Sequence, residues 1–130
     1  MDDLEKLVKR LEGSKTLMQI AAQNGVGKAG LLVEGDAKRL CPVDTGRLRS
    51  SLSTQTETTE TGAAAFVGTN VEYAPYVEYG TGQKGDPSVP HRLDWAGMPP
   101  QPFLRPALEL NRDNGNIEKV FSEEVRKVFE

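Results

Sequence analysis

Three places in the chain carry residue types able to do chemistry. Asp44-Thr45-Gly46 is the tripeptide that carries the carboxylate of aspartic proteases, a mechanism in which two carboxylates lie side by side and share a proton. One copy per chain would demand a dimer, with the aspartate on a loop between apolar strands. Here Cys41-Pro42 precedes the tripeptide and Arg47-Leu48-Arg49 follows it, so the apolar flanks are missing. A polar turn after a helix, with Asp44 and Thr45 bonding nearby backbone N–H groups, accounts for the same residues. His91 is the only histidine, and no second histidine or cysteine pair stands at metal-ligand spacing. In its Pro/Gly-rich surroundings it reads as a solvated side chain. Cys41 is the only cysteine; beside Pro42 it reads as a small buried apolar residue at a helix end. No glycine pattern opens a helix after a strand as phosphate-binding loops require. The expectation is therefore no catalytic site, no cofactor and no metal.

The elements that would position these residues are modest. The chain has 130 residues, which fits a single domain, 1–130. Hydrophobic residues make up 37% and the net charge is −3, so the chain is neither a disordered polyelectrolyte nor an obvious nucleic-acid binder. The charged N-terminus is unlike a signal peptide, and no apolar run approaches membrane length. Leu4, Leu7, Val8 and Leu11 fall at i, i+3, i+4 and i+7, one face of a helix. Gly13-Ser14 reads as a stop and fresh N-cap. The stretch 15–40 reads as one long glycine-tolerant helix or as two broken near Asn24-Gly25, with Pro42 ending it. The N-terminal helices thus occupy 1–41. A β-hairpin is expected over 47–72, turning at Thr61-Gly62, with a Thr/Ser-rich strand against an apolar return strand carrying Phe66 and Val67. A short helix follows at 73–80, with Pro75 in its first turn and Gly80 as its C-cap. Seven of the 21 glycines and prolines fall in 81–101, which predicts a long irregular loop. Residues 102–130 predict a C-terminal helix, with a break near Asn114-Gly115 before an amphipathic stretch of Ile117, Val120, Phe121, Val125 and Val128. This order gives an α+β fold: N-terminal helices, an antiparallel sheet built on a hairpin, a short helix, a long loop and a C-terminal helix.

Charge and aromatic residues supply the candidate sites. Lys38, Arg39, Arg47 and Arg49 cluster around the first turn. Glu57, Glu60, Glu72 and Glu78 fall in a stretch, Gln55 to Gly82, without lysine or arginine. A basic patch on one copy against an acidic patch on the next would give head-to-tail association, which closes into a ring when the rotation permits. Tyr73, Tyr76 and Tyr79 recur every three residues. Tyr73 and Phe103 are expected inward, and Tyr76 and Trp95 at an interface. The interface candidates are Arg47, Arg49, Glu72, Tyr76, Glu78 and Trp95.

Three ordered blocks then carry a likeness. Ala37-Lys38 with Pro42-Val-Asp-Thr-Gly-Arg-Leu-Arg-Ser50 is the first, Tyr73-Ala-Pro-Tyr-Val-Glu-Tyr-Gly-Thr81 the second, and Pro102-Phe-Leu-Arg-Pro-Ala107 the third. Together they resemble the gene-product-ten-like family of tailed-phage morphogenesis proteins: siphophage neck, head–tail joining, tail-completion or minor capsid proteins. The resemblance implies a non-enzymatic α+β virion subunit in a homo-oligomeric ring. Its partners would be other copies of itself, the head connector or portal-side proteins, and the tail tube or tail terminator. DNA would only pass through, and no membrane is involved. It would be found in the virion neck, and in the host cytoplasm during assembly. The loop 81–101, longer than the family suggests, becomes a candidate for reaching a neighbour and ordering on assembly. Two other readings stay open: a dimeric aspartic protease using Asp44-Thr45-Gly46, and a monomeric prophage-borne binding module.

Overall fold

The computed structural model describes residues 2–42, 46–60 and 62–129. Asp44 and Thr45 of the candidate protease tripeptide lie outside the described residues. Near the N-terminus 38 residues form one uninterrupted helix, α1 (Asp3–Leu40). The Asp2 side chain accepts the Glu5 N–H at 2.8 Å and caps it, with acids in the first turn and Lys38 and Arg39 in the last, as the macrodipole favours. The stop expected at Gly13-Ser14 does not occur. Nothing lies within 4 Å of a Cβ added at Gly13, so nothing folds the chain back there. Thr16 instead bonds the Glu12 carbonyl oxygen one turn back at 3.3 Å. The alternative break near Asn24-Gly25 is likewise absent, because glycines on this side admit close neighbours. A Cβ at Gly25 would lie 2.5 Å from the Phe121 ring, and one at Gly30 would lie 2.6 Å from Thr54 Cγ2.

Residues 47–51, expected in the hairpin, instead form the short helix α2 (Arg47–Ser51), entered through Gly46 at φ +79°. Leu48 drops from it into the core. The hairpin proper is β1 (Ser53–Thr59) and β2 (Gly62–Gly68), antiparallel, with Thr54 opposite Val67 and Thr56 opposite Ala65. Thr59 pairs with Gly62, which places Gly62 in the strand rather than in the expected Thr61-Gly62 turn. Directly opposed residues share a face. The Thr54/Thr56/Ala65/Val67 face lies on α1, where Thr54 contacts Gly30 and Thr56 contacts Gly27. The other face carries Gln55, Glu57 and an exposed Phe66.

Helix α3 (Ala74–Tyr79) has proline in its first turn and ends at Gly80, φ +77°, as expected. The loop that follows holds one 3-10 turn, Gly82–Lys84. The C-terminal segment is two helices, α4 (Leu104–Asp113) and α5 (Asn116–Phe129), parted at Asn114-Gly115. Both pack on α1, as does the hairpin. The core gathers where these meet, at the C-terminal end of α1: Val33, Ala37 and Cys41 against Leu48, Leu52, Val71, Ala74, Phe103 and Ala107. Phe103 is fully buried, as expected, and Tyr73 packs partly buried against this cluster.

Candidate interaction surface

Glu78, read from sequence as an interface residue, is buried instead. Its Oε2 accepts the N–H groups of Phe103 at 2.8 Å and Leu104 at 3.1 Å, and its Oε1 accepts that of Arg105 at 3.0 Å. The first four N–H groups of a helix have no partner within the helix. Three of those in α4 are taken by Glu78 and the fourth position is Pro106, which has no N–H to satisfy. The carboxylate also sits at the positive end of the α4 dipole. Glu78 is therefore the cap of α4, delivered across 25 residues of sequence by α3.

The other interface candidates are exposed, but not on one patch. The Arg47 guanidinium lies 5.6 Å from the centre of the Tyr73 ring, in reach of cation–π attraction. Arg49 Nε donates to the Lys38 carbonyl oxygen at 2.8 Å and so caps the last turn of α1. Tyr76, with Tyr73, lines a hollow of about 300 Å³ between α2, α3 and the loop, edged by Met98 and Pro99. Trp95 is half exposed on the loop and does not line this hollow. Glu72 lines a different and larger depression, described below.

The loop 81–101 is irregular, as expected, but its shape is set within the chain. Thr81, Gln83 and Lys84 donate backbone N–H groups to Met98, Trp95 and Ala96 carbonyl oxygens, and Gln101 donates to Val77. His91 is half-buried rather than solvated. Its Nδ1 lies 2.6 Å from the Val89 carbonyl oxygen and its Nε2 2.7 Å from that of Gly82. Two acceptors facing the two ring nitrogens favour the doubly protonated ring, so the His91 pKa is raised, chiefly by Val89. Asp86 accepts from the Ser88 hydroxyl and N–H and is held below the usual carboxylate range. Cys41 is buried at the end of α1, where desolvation raises its thiol pKa and suits it to packing rather than attack. Among the described residues no group of histidine, cysteine, aspartate or glutamate could hold a metal ion.

Two features escaped the sequence reading. The first is a groove of about 930 Å³ between the hairpin and the C-terminal helices, floored by α1 at Val26, Gly30 and Val33. Val67 and Phe66 of β2 form one wall, and Leu104, Leu108 and Phe121 the other. No local sequence signal marks it, because it arises where two elements pack on a third without meeting. The second is that every residue from Asp2 through Met18 is exposed, including the Leu4/Leu7/Val8/Leu11 face. The periodicity announced that face; nothing in the described chain covers it.

These features define a class. It is an α+β subunit whose buried polar groups find their partners within the subunit and which leaves many large apolar side chains exposed. The chain belongs to the HK97-gp10-like family, described as "Bacteriophage HK97-gp10, putative tail-component", which it matches over residues 2–80. The matched span holds the first sequence block and the second up to Gly80; the third lies beyond it and joins the second through Glu78. No curated protein matches the chain, and no solved structure does. The chain is thus a member of a phage tail-component family, and among its described residues no helix is long and apolar enough to cross a membrane.

Proposed function

We propose that this protein is a non-enzymatic ring subunit of the phage neck, joining the head connector to the tail and leaving a channel for DNA. Membership of a phage tail-component family is the observation that carries the reading. The exposed apolar face of α1, running through Leu4, Leu7, Val8 and Leu11, supports it, since contiguous apolar surface on a small subunit marks contacts with other chains. The charge arrangement supports it too. Arg47 and Arg49 stand exposed on α2, while Glu57, Glu60 and Glu72 stand exposed on and after the hairpin. Copies placed head to tail would bring these signs together. Glu78 no longer belongs to that acidic set.

Electron microscopy and mass spectrometry of purified particles test the proposal. The expected result is a ring of this chain at the head–tail joint, with unjoined heads and tails accumulating when its gene is silenced. Reversing charge at both Arg47 and Arg49 should lower oligomer mass under assembly conditions. Absence of the chain from particles overturns the proposal. So does peptide cleavage by the pure chain that Asp44→Asn abolishes.

A further inference from the structure

The uncovered helix face and the apolar groove belong to one chain but cannot meet within it. Helix α1 carries the face and floors the groove. The residues that floor the groove, Val26 to Val33, continue without a break into the bare stretch Asp3–Ile20. The hairpin tip at Thr58–Glu60 lies beside Thr16–Gln23 of α1 and every residue from Asp2 through Met18 is exposed, so about the first 13 residues of the helix extend past the rest of the subunit. At 1.5 Å per residue this arm projects roughly 20 Å. A straight helix cannot fold back into a groove of which it is the floor.

Resting on the ring reading above, we propose that the α1 arm of one copy lies in the groove of the next, so that each subunit is donor on one side and acceptor on the other. Leu4, Leu7, Val8 and Leu11 have the i, i+3, i+4, i+7 spacing by which an amphipathic helix anchors in an apolar groove. The groove offers Val26, Val67, Leu104 and Phe121, with Leu108 half exposed on its wall. Charge fits as well. Lys15 is the one basic residue in line with the arm's apolar stripe, and Glu72 is the exposed acid lining the groove. The other charged liners are engaged within the subunit, Glu78 with the α4 backbone and Arg105 with Glu109 at 3.1 Å. Donor and acceptor are different surfaces, so the contact is heterologous and propagates until it closes. The same lysine works against the arms pairing with one another, since it would break the apolar seam of a coiled coil.

Photo-cross-linking of the whole chain tests this. A benzophenone amino acid replaces Leu7, and chains of natural and heavy-nitrogen isotope content are mixed at assembling concentration. The expected products join position 7 of one copy to residues 66–72 or 104–121 of another. In parallel, Leu7→Asp with Leu11→Asp should leave the helical signal and unfolding midpoint unchanged, since both sites are exposed, and weaken self-association at least tenfold. Cross-links from arm to arm, or oligomers without arm-to-groove cross-links, overturn this inference while leaving the ring intact. Unchanged association of the double aspartate variant overturns it as well. A chain that stays monomeric at every concentration overturns both this inference and the ring.

Discussion

The two halves of α1 are one helix by backbone and two different objects by surroundings. From Ala21 to Leu40 the helix is stitched to the hairpin, α4 and α5, and residues recurring at Ala21, Gly25, Ala29, Val33 and Ala37 are buried. From Asp3 to Ile20 only the last turn meets the hairpin tip, yet this half carries four leucines, a valine, an isoleucine and a methionine. The buried face of the packed half is built of alanine, glycine and valine because other elements must come close, and its leucines, Leu31, Leu32 and Leu40, lie on the open side. The bare half carries leucine because its partner surface is still to come. Isolated helices of this length are marginal in water, so the bare half depends on its cap, its charges and its continuity with the packed half. Small residues mark where this subunit is complete, and large ones mark where it is not.

Truncating one large apolar residue in each region should separate the two halves most strongly. Phe103 is fully buried in the core, so Phe103→Ala should cost about 3–5 kcal/mol in denaturant unfolding, the range for cavities of that size. Leu7→Ala removes an exposed side chain and should stay within about 0.5 kcal/mol in dilute solution. A comparable loss at Leu7 would mean that the arm is packed within the subunit. Next in size is Glu78→Ala, which leaves three helix N–H groups of α4 without their acceptor. It should cost about 1–3 kcal/mol, with Glu78→Gln recovering part because one acceptor oxygen remains. Amide exchange read residue by residue should quicken first at Phe103, Leu104 and Arg105.

Periodicity and punctuation made much of this fold legible. The short helix with Pro75 and Gly80, the parting of α4 from α5 at Asn114-Gly115, the inward Phe103 and the buried Cys41 all follow from local rules. What could not be read was which local rule loses. Gly13-Ser14 is a good stop signal, but a stop needs somewhere for the chain to go, and no tertiary contact pulls it aside. Arg47–Ser51 reads as the start of the hairpin, yet Leu48 and Leu52 fix it as helix by reaching one core from a single turn and its end. Glu78 looked like surface acid because its partners are 25 and more residues away. The three blocks behind the family resemblance explain themselves in the same way. Ala37, Leu48, Ala74, Phe103 and Ala107 come from all three and meet in the core. The blocks record how the subunit holds together, so they gave little guidance to the surfaces that contact others. Of the six interface candidates, the structure removes Glu78, and it scatters the rest over separate patches.

A smaller effect, opposite in sign in the two halves, comes from glycine. Gly13→Ala should stabilise the arm by about 0.5–1 kcal/mol, because the site is open and alanine is the better helix former. Gly30→Ala gains the same propensity but drives a Cβ to 2.6 Å from Thr54 Cγ2 and 3.2 Å from the Ala65 methyl. Overpacking of this kind costs about 1–3 kcal/mol, so the net change should be destabilising. Adding Thr54→Ser removes the offending methyl and should restore much of the loss. Thermal unfolding of the three variants decides it. Stabilisation at Gly30 would show that the hairpin rides more loosely on α1 than these contacts imply.

The smallest effect is electrostatic and confined to the packed half. Glu124 is buried on α5, where it forms ion pairs with Lys28 of α1 and, at 3.2 Å, with Lys127. The Lys28 hydrogen bond is the main reason its carboxyl titrates below the usual range, and the same bond raises Lys28. A carboxyl whose pKa is lower in the folded chain binds protons more readily when unfolded. Its contribution is then complete above the unfolded value near 4.5 and is lost as pH falls through the lower folded value. Lys28 works in the opposite direction: its contribution is complete below its ordinary value of 10.5 and is lost as pH rises through the raised one. Glu124→Gln should therefore be less stable than the parent between about pH 5 and 10, and the two curves should converge in acid. Added salt should narrow the gap only partly, since the carboxylate is buried although Lys28 is half exposed. Parallel curves down to pH 2 would mean that the pair does not tie α5 to α1, leaving the Phe121–Gly25 contact to do so without it.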